Sequence, residues 1–131
     1  MKSKYVLSVE QMEHLQELGL DTSDGSMCFE WNESDADNMV VTSPDADTNY
    51  DYYHETYTLQ DFLDKLPHYL NPFPSKQILF AWMIERDAIA YRNVEDIDDC
   101  LKHFTDDLLI DAAYEMLCWC IENGHIKTNQ L

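Results

Sequence analysis

The chain of 131 residues carries 26 acidic side chains against 8 Lys or Arg, a formal charge of -18 at pH 7. That balance disfavours direct binding to a nucleic-acid backbone or an anionic membrane, because both need Lys and Arg to replace released counterions. An apolar fraction of 45% with 12% aromatic excludes a wholly disordered acidic chain and suits a single domain over 1–131 that builds its core without staples.

Along the chain, Ser8 and Gln11 have the spacing of a capping box, and Val9, Met12, Leu15 and Leu18 fall on one face. The pattern predicts a helix over about 9–18, ended by Gly19 in the left-handed conformation. Met27, Phe29 and Trp31 alternate with Cys28 and Glu30, which predicts a strand with one aromatic face. Met39 to Thr42 reads as a weaker strand, joined to the first by the polar segment 33–38. From Ser43 to Thr56, Pro, Asp, Asn and Tyr follow no period, so a long exposed acidic loop is expected. Thr58 and Asp61 cap a second helix whose apolar face is Leu59, Phe62, Leu63 and Leu66, and Pro67 ends it. Residues 77–94 admit a helix or a hairpin. The alternation of Ile78, Phe80, Trp82 and Ile84 favours the hairpin, with Glu85-Arg86-Asp87 as the turn and 88–94 as the return strand. Asp106 and Asp107 precede the longest helix, about 107–123, where the macrodipole favours negative charge. Leu109, Ala113, Met116, Leu117, Cys120 and Ile121 make that helix a core spine, against a polar stripe of Asp111, Glu115 and Glu122 that includes Cys118. The expected fold is α+β, with a small antiparallel sheet of about four strands packed against three helices.

Three segments, 8–23, 57–67 and 109–127, together resemble a group of small, acidic, uncharacterised proteins of gut bacteria, their prophages and other mobile elements. The last is the most specific, with Leu109-Ile-Asp-Ala-Ala-Tyr-Glu-Met-Leu-Cys-Trp-Cys-Ile-Glu-Asn-Gly-His-Ile-Lys127. The resemblance implies a shared fold and genomic context, and it carries no catalytic or ligand-binding residues.

Candidate sites are few. Asp45-Ala-Asp-Thr-Asn-Tyr-Asp51 spaces oxygen ligands as a calcium loop does, but Tyr50 stands where the turn glycine belongs and Thr56 where the bidentate Glu belongs. No metal or cofactor is therefore expected. Cys28, Cys100, Cys118 and Cys120 show no CxxC spacing and read as reduced thiols; Cys118 and Cys120 diverge by about 200° on a helix and cannot chelate one ion. Carboxylates around Cys118 would raise its pKa and keep the thiol unreactive. His14, His54, His68, His103 and His125 are dispersed, and a zinc site from Cys28, His54 and His103 would need the fold to assemble it. No sequence motif of an enzyme is present, so catalysis is not expected.

The charge is uneven. Residues 5–64 hold fifteen Asp or Glu and no Lys or Arg, whereas residues 65–131 hold eleven acids and six bases. The strongest surface candidate lies in the acidic half: Asp45, Asp47, Tyr50, Asp51, Tyr52, Tyr53 and Glu55, where tyrosines supply rigid contact area and carboxylates steer a basic partner. Some of these rings could instead cover the sheet. The expected function is a non-enzymatic acidic interaction protein, an accessory protein of phage or mobile-element origin that binds a basic protein. A DNA mimic is the first alternative, weakened because the acids of 30–55 sit largely on loops. A small hydrolase or ligand-binding domain is the second, and would require a concave pocket lined by His and carboxylates. No stretch approaches the ~20 apolar residues of a membrane span, and Tyr5-Val6-Leu7 is too short for a secretory signal, so a cytoplasmic location is expected.

Overall fold

In the computed structural model, which describes residues 4–35, 40–42 and 52–128, Ser8 and Gln11 close the expected capping box. Ser8 Oγ accepts from the Gln11 N–H at 3.2 Å and Gln11 Oε1 accepts from the Ser8 N–H at 2.9 Å. They open α1 (Val9–Glu17), which buries Met12 and Leu15. Gly19 adopts φ 97°, and its N–H and that of Leu20 bond the Gln16 and Leu15 carbonyls at 2.9 and 3.1 Å. This crossed pair of bonds satisfies the last turn. Thr58 and Asp61 close an equivalent box on α2 (Leu59–Lys65), which turns Phe62, Leu63 and Leu66 into the core.

The strands divide between two antiparallel sheets instead of forming one. In the first, β1 (Met27–Trp31) lies between β2 (Val40–Thr42) and β3 (Tyr52–Thr56). The expected loop over 43–56 is thus corrected at its end, because residues 52–56 pair with all five residues of β1. Residues 43–51, including most of the calcium-like spacing, lie outside the described residues. Thr56 is buried and its hydroxyl donates to the Leu7 carbonyl at 2.6 Å, so it is committed to the core.

The second sheet has the order β4-β5-β6-β7, with β4 at Tyr69–Leu70, β5 at Phe80–Ile84, β6 at Ala88–Asn93 and β7 at Asp96–Thr105. The stretch 77–94 thereby holds the expected hairpin, paired from Phe80 opposite Asn93 to Ile84 opposite Ile89. Strand β7 carries no alternation that a sequence reading could find. Its register slips around Arg92 and Asn93, and the bulged stretch is held by Arg92, which donates to the Ile97 carbonyl at 3.1 Å.

Helix α3 (Leu109–Glu122) buries eight residues, among them Ala113, Met116, Leu117 and Cys120 at 0% exposure. It packs on β6 and β7 and against α2, in one core with Phe62, Phe80, Ile89 and Tyr91. The polar stripe is partly covered. Asp111 accepts from Lys4 Nζ at 2.8 Å and Gln11 Nε2 at 3.0 Å, and Cys118 is buried beside Tyr114 and not on the surface. The reason is that the N-terminal segment and α1 pack across this side of α3. Burial pushes the Cys118 thiol up to about 11, with Glu122 and Glu115 adding to it, and burial pushes Cys120 to about 12. Both are core thiols.

Two expected results follow from this packing. A Cβ on Gly25 would meet the Thr56 carbonyl oxygen at 2.7 Å and the Thr56 nitrogen at 3.1 Å. These are backbone atoms of a paired strand and cannot yield, so Gly25→Ala is expected to cost about 1–3 kcal/mol in urea unfolding. A neutral result would show that the 21–26 turn is not seated on β3.

The second concerns acid. Burial pushes the Asp111 carboxyl up, but the bonds from Lys4 and Gln11 and the Lys4 charge outweigh it and hold it below the usual 3.8. Asp24 is lowered against burial in the same way by Lys65 and Tyr57. A depressed folded pKa gives stability that is present above the unfolded value and lost as pH falls through the folded one. Unfolding measured along a pH series should show stability falling below about pH 4, with a shallower fall in Asp111→Asn. An unchanged acid limb in that variant would remove Asp111 from the account.

Candidate functional site

In β1 the side chains alternate, but the side that is buried is the polar one. Cys28 and Glu30 are 1% and 3% exposed, while Met27, Phe29 and Trp31 are half-buried. None of the β1 residues belongs to the main core, which is built from α1–α3, β4–β6, Leu7 and Tyr57. The expected aromatic face is therefore the side of β1 turned away from the main core.

The pairing shows what shares each side. Phe29 lies opposite Val41 and His54, and Trp31 opposite Tyr52. Trp31 and Tyr52 stack with centroids 5.7 Å apart and planes 24° from parallel. Val41 and Tyr52 remain 43% and 45% exposed. Beside them a largely apolar groove of about 560 Å³ runs between Met27, Phe29 and Val41 on the sheet and Lys4, Tyr5 and Val6 on the N-terminal segment. Tyr5 stands 79% exposed at its edge.

The other side is a small polar layer. Gln16 Nε2 donates to Thr22 Oγ1 at 2.8 Å, and Thr22 Oγ1 in turn lies 3.5 Å from Glu55 Oε1. Cys28 Sγ lies 3.5 Å from Glu30 Oε1, and burial together with Glu30 and Glu55 raises its pKa. A raised thiol pKa keeps Cys28 in the protonated form, which lowers its reactivity.

The residues singled out in the sequence separate accordingly. Asp45, Asp47, Tyr50 and Asp51 lie outside the described residues. Tyr52 belongs to the aromatic side with Trp31. Tyr53 pairs opposite Glu30 and is 70% exposed, and Glu55 pairs opposite Cys28 on the same side. Tyr57, which follows them in the chain, is a core residue whose hydroxyl donates to Asp24 Oδ1 at 2.7 Å and lies 3.1 Å from the Asp21 carbonyl oxygen. Sequence reasoning missed Phe29, Trp31, Val41 and Tyr5 as surface residues. The signal was present in Cys28 and Glu30 but was outweighed by the larger rings.

Cys28 and His54 sit on opposite faces of neighbouring strands, and His103 belongs to the second sheet, so the fold does not assemble them into a zinc site. Among the described residues no group of three His, Cys, Asp or Glu is placed to hold a metal. None of the described helices is long and apolar enough to cross a membrane.

Lys4 lines the groove beside the aromatic face, and it is already bound to Asp111 and Gln11. Positions 5–64 contribute no further Lys or Arg against fifteen carboxylates. An apolar aromatic patch is thus presented by the part of the chain with the largest uncompensated negative charge. Comparison with protein-family models, curated proteins and solved structures finds no match to this chain.

Proposed function

We propose that the protein is a non-enzymatic interaction protein that uses the aromatic side of the three-stranded sheet to bind a basic protein. The resemblance to small acidic proteins of phages and mobile elements supports reading it as an accessory protein of that kind. The observation that carries this reading is the orientation of strand β1: Phe29 and Trp31 stay partly exposed while Glu30 is buried. Exposing aromatic rings forgoes the stabilisation of burial, about 25 cal/mol per Å². A monomer that keeps such a patch contiguous has the composition of a binding surface. Charge supplies the partner's chemistry, because a chain of -18 steers cations toward itself and repels acidic proteins.

The test is affinity capture from host lysate with the immobilised protein and with Trp31→Ser/Phe29→Ser as the control. The expected result is a basic protein held by the wild type and absent from the control. Capture of the same set of abundant basic proteins by both, released together by modest salt, would contradict the proposal.

A further inference from the structure

A second concavity, about 350 Å³, opens between α1, α3 and β7 and shares no lining residue with the groove at Tyr5. Its walls are Phe104, Tyr114 and Trp119, its floor is the buried Cys118, and its polar groups are His14, Glu115 and Glu122. The sequence explains why they converge. Residues 114, 115, 118, 119 and 122 share one side of a helix turning 3.6 residues per turn, and Phe104 pairs with the fully buried Ile89 on the core side of β7. This volume falls at the lower end of small-ligand sites, roughly 300–1,000 Å³.

Two features define the chemistry. Glu115 and Glu122 have no cation and no hydrogen-bond donor as partner among the described residues. Burial raises the Glu115 carboxyl, and Asp106 and Asp111 raise it further; Lys102, the cation at the Phe104 wall, forms no ion pair with either carboxylate. The walls are rings, and one already holds a cation: Lys102 Nζ lies 5.0 Å from the Phe104 centroid, inside the ~6 Å range of a cation–π contact. A hard metal ion would need six or more oxygen ligands, which aromatic walls cannot give. A weakly hydrated organic cation is satisfied by ring faces together with one or two carboxylates.

We propose that this cavity binds an alkylammonium group, carried by a free small molecule or by a methylated lysine side chain. Phe104, Tyr114 and Trp119 form its walls and Glu115 and Glu122 supply the charge. The site does not depend on the sheet surface.

The test follows the Trp119 indole N–H by ¹⁵N NMR, assigned with Trp119→Phe, during titration with choline chloride and separately with N-acetyl-trimethyllysine methylamide. Sodium chloride and the neutral isostere 3,3-dimethylbutanol serve as controls at matched ionic strength. Saturable shifts of that signal and of the Tyr114 and Cys118 amides are expected with at least one cation, in the millimolar range. Tighter binding of choline points to the free molecule, and tighter binding of the lysine derivative to a side chain. Glu115→Gln/Glu122→Gln, whose fold the amide spectrum verifies, should weaken binding about tenfold. Equal shifts with sodium chloride or the isostere, no saturable shift with either cation, or undiminished binding by the double variant would overturn the proposal.

Discussion

Replacing Phe62 by alanine is expected to cost about 3–5 kcal/mol in urea unfolding, whereas Phe29→Ala should cost only about 1 kcal/mol. Phe62 is fully buried on α2, inside the cluster that joins α3 to the second sheet. Its removal leaves a cavity walled by close-packed neighbours that relax only partly. Phe29 sits on an alternating strand whose pattern would mark it as equally internal, yet its ring borders an open groove and its neighbours Val41 and Tyr5 are exposed. Losses of similar size at the two positions would show that the aromatic side of β1 is core.

The second large effect is on binding. With the captured partner purified, Trp31→Ala is expected to weaken affinity by roughly 30-fold or more, the scale of an interfacial hot spot at about 2 kcal/mol. Unfolding free energy should change far less, because Trp31 lies outside the main core. Tyr52 stacks on Trp31 at 5.7 Å, so Tyr52→Ala added to Trp31→Ala should bring less than the sum of the two single losses. A charge reversal at the exposed Glu33, two residues beyond Trp31, acts differently. It should slow association and flatten its salt dependence while leaving dissociation nearly unchanged, because carboxylates at a rim steer encounter more than they hold the complex. If Trp31→Ala left affinity unchanged while charge reversals anywhere on the chain weakened it equally, the attraction would be non-specific.

Much of the fold was legible in particular residues. Ser8 with Gln11 and Thr58 with Asp61 announced two helix starts, because each pair meets a hydrogen-bond requirement at a fixed spacing. The apolar girth of 109–121 announced the spine. Alternation from Phe80 to Ile84 separated a hairpin from a helix. Strand β7 was not legible, because Asp96, Asp98 and Asp99 give it a turn-like composition and its bulge breaks the two-residue period. Strand β3 was hidden for a related reason: Tyr52 to Glu55 follow an acidic segment, and only the register with β1 makes them a strand. The candidate site was half legible. Tyrosine and charge pointed to the right neighbourhood, but period alone cannot say which side of a two-sided strand meets the core. That choice is made by what packs on the sheet, here α1 against β3, with Gln16 and Thr22 reaching Glu55 beside Cys28.

Everything proposed for the sheet surface rests on that orientation, and the fluorescence of Trp31 in the free protein reports it. In a Trp82→Phe/Trp119→Phe variant Trp31 is the only indole left of the three. Its emission should be red-shifted and steeply quenched by acrylamide in the folded state. A blue-shifted emission that acrylamide quenches only after unfolding would place Trp31 inside and contradict the account.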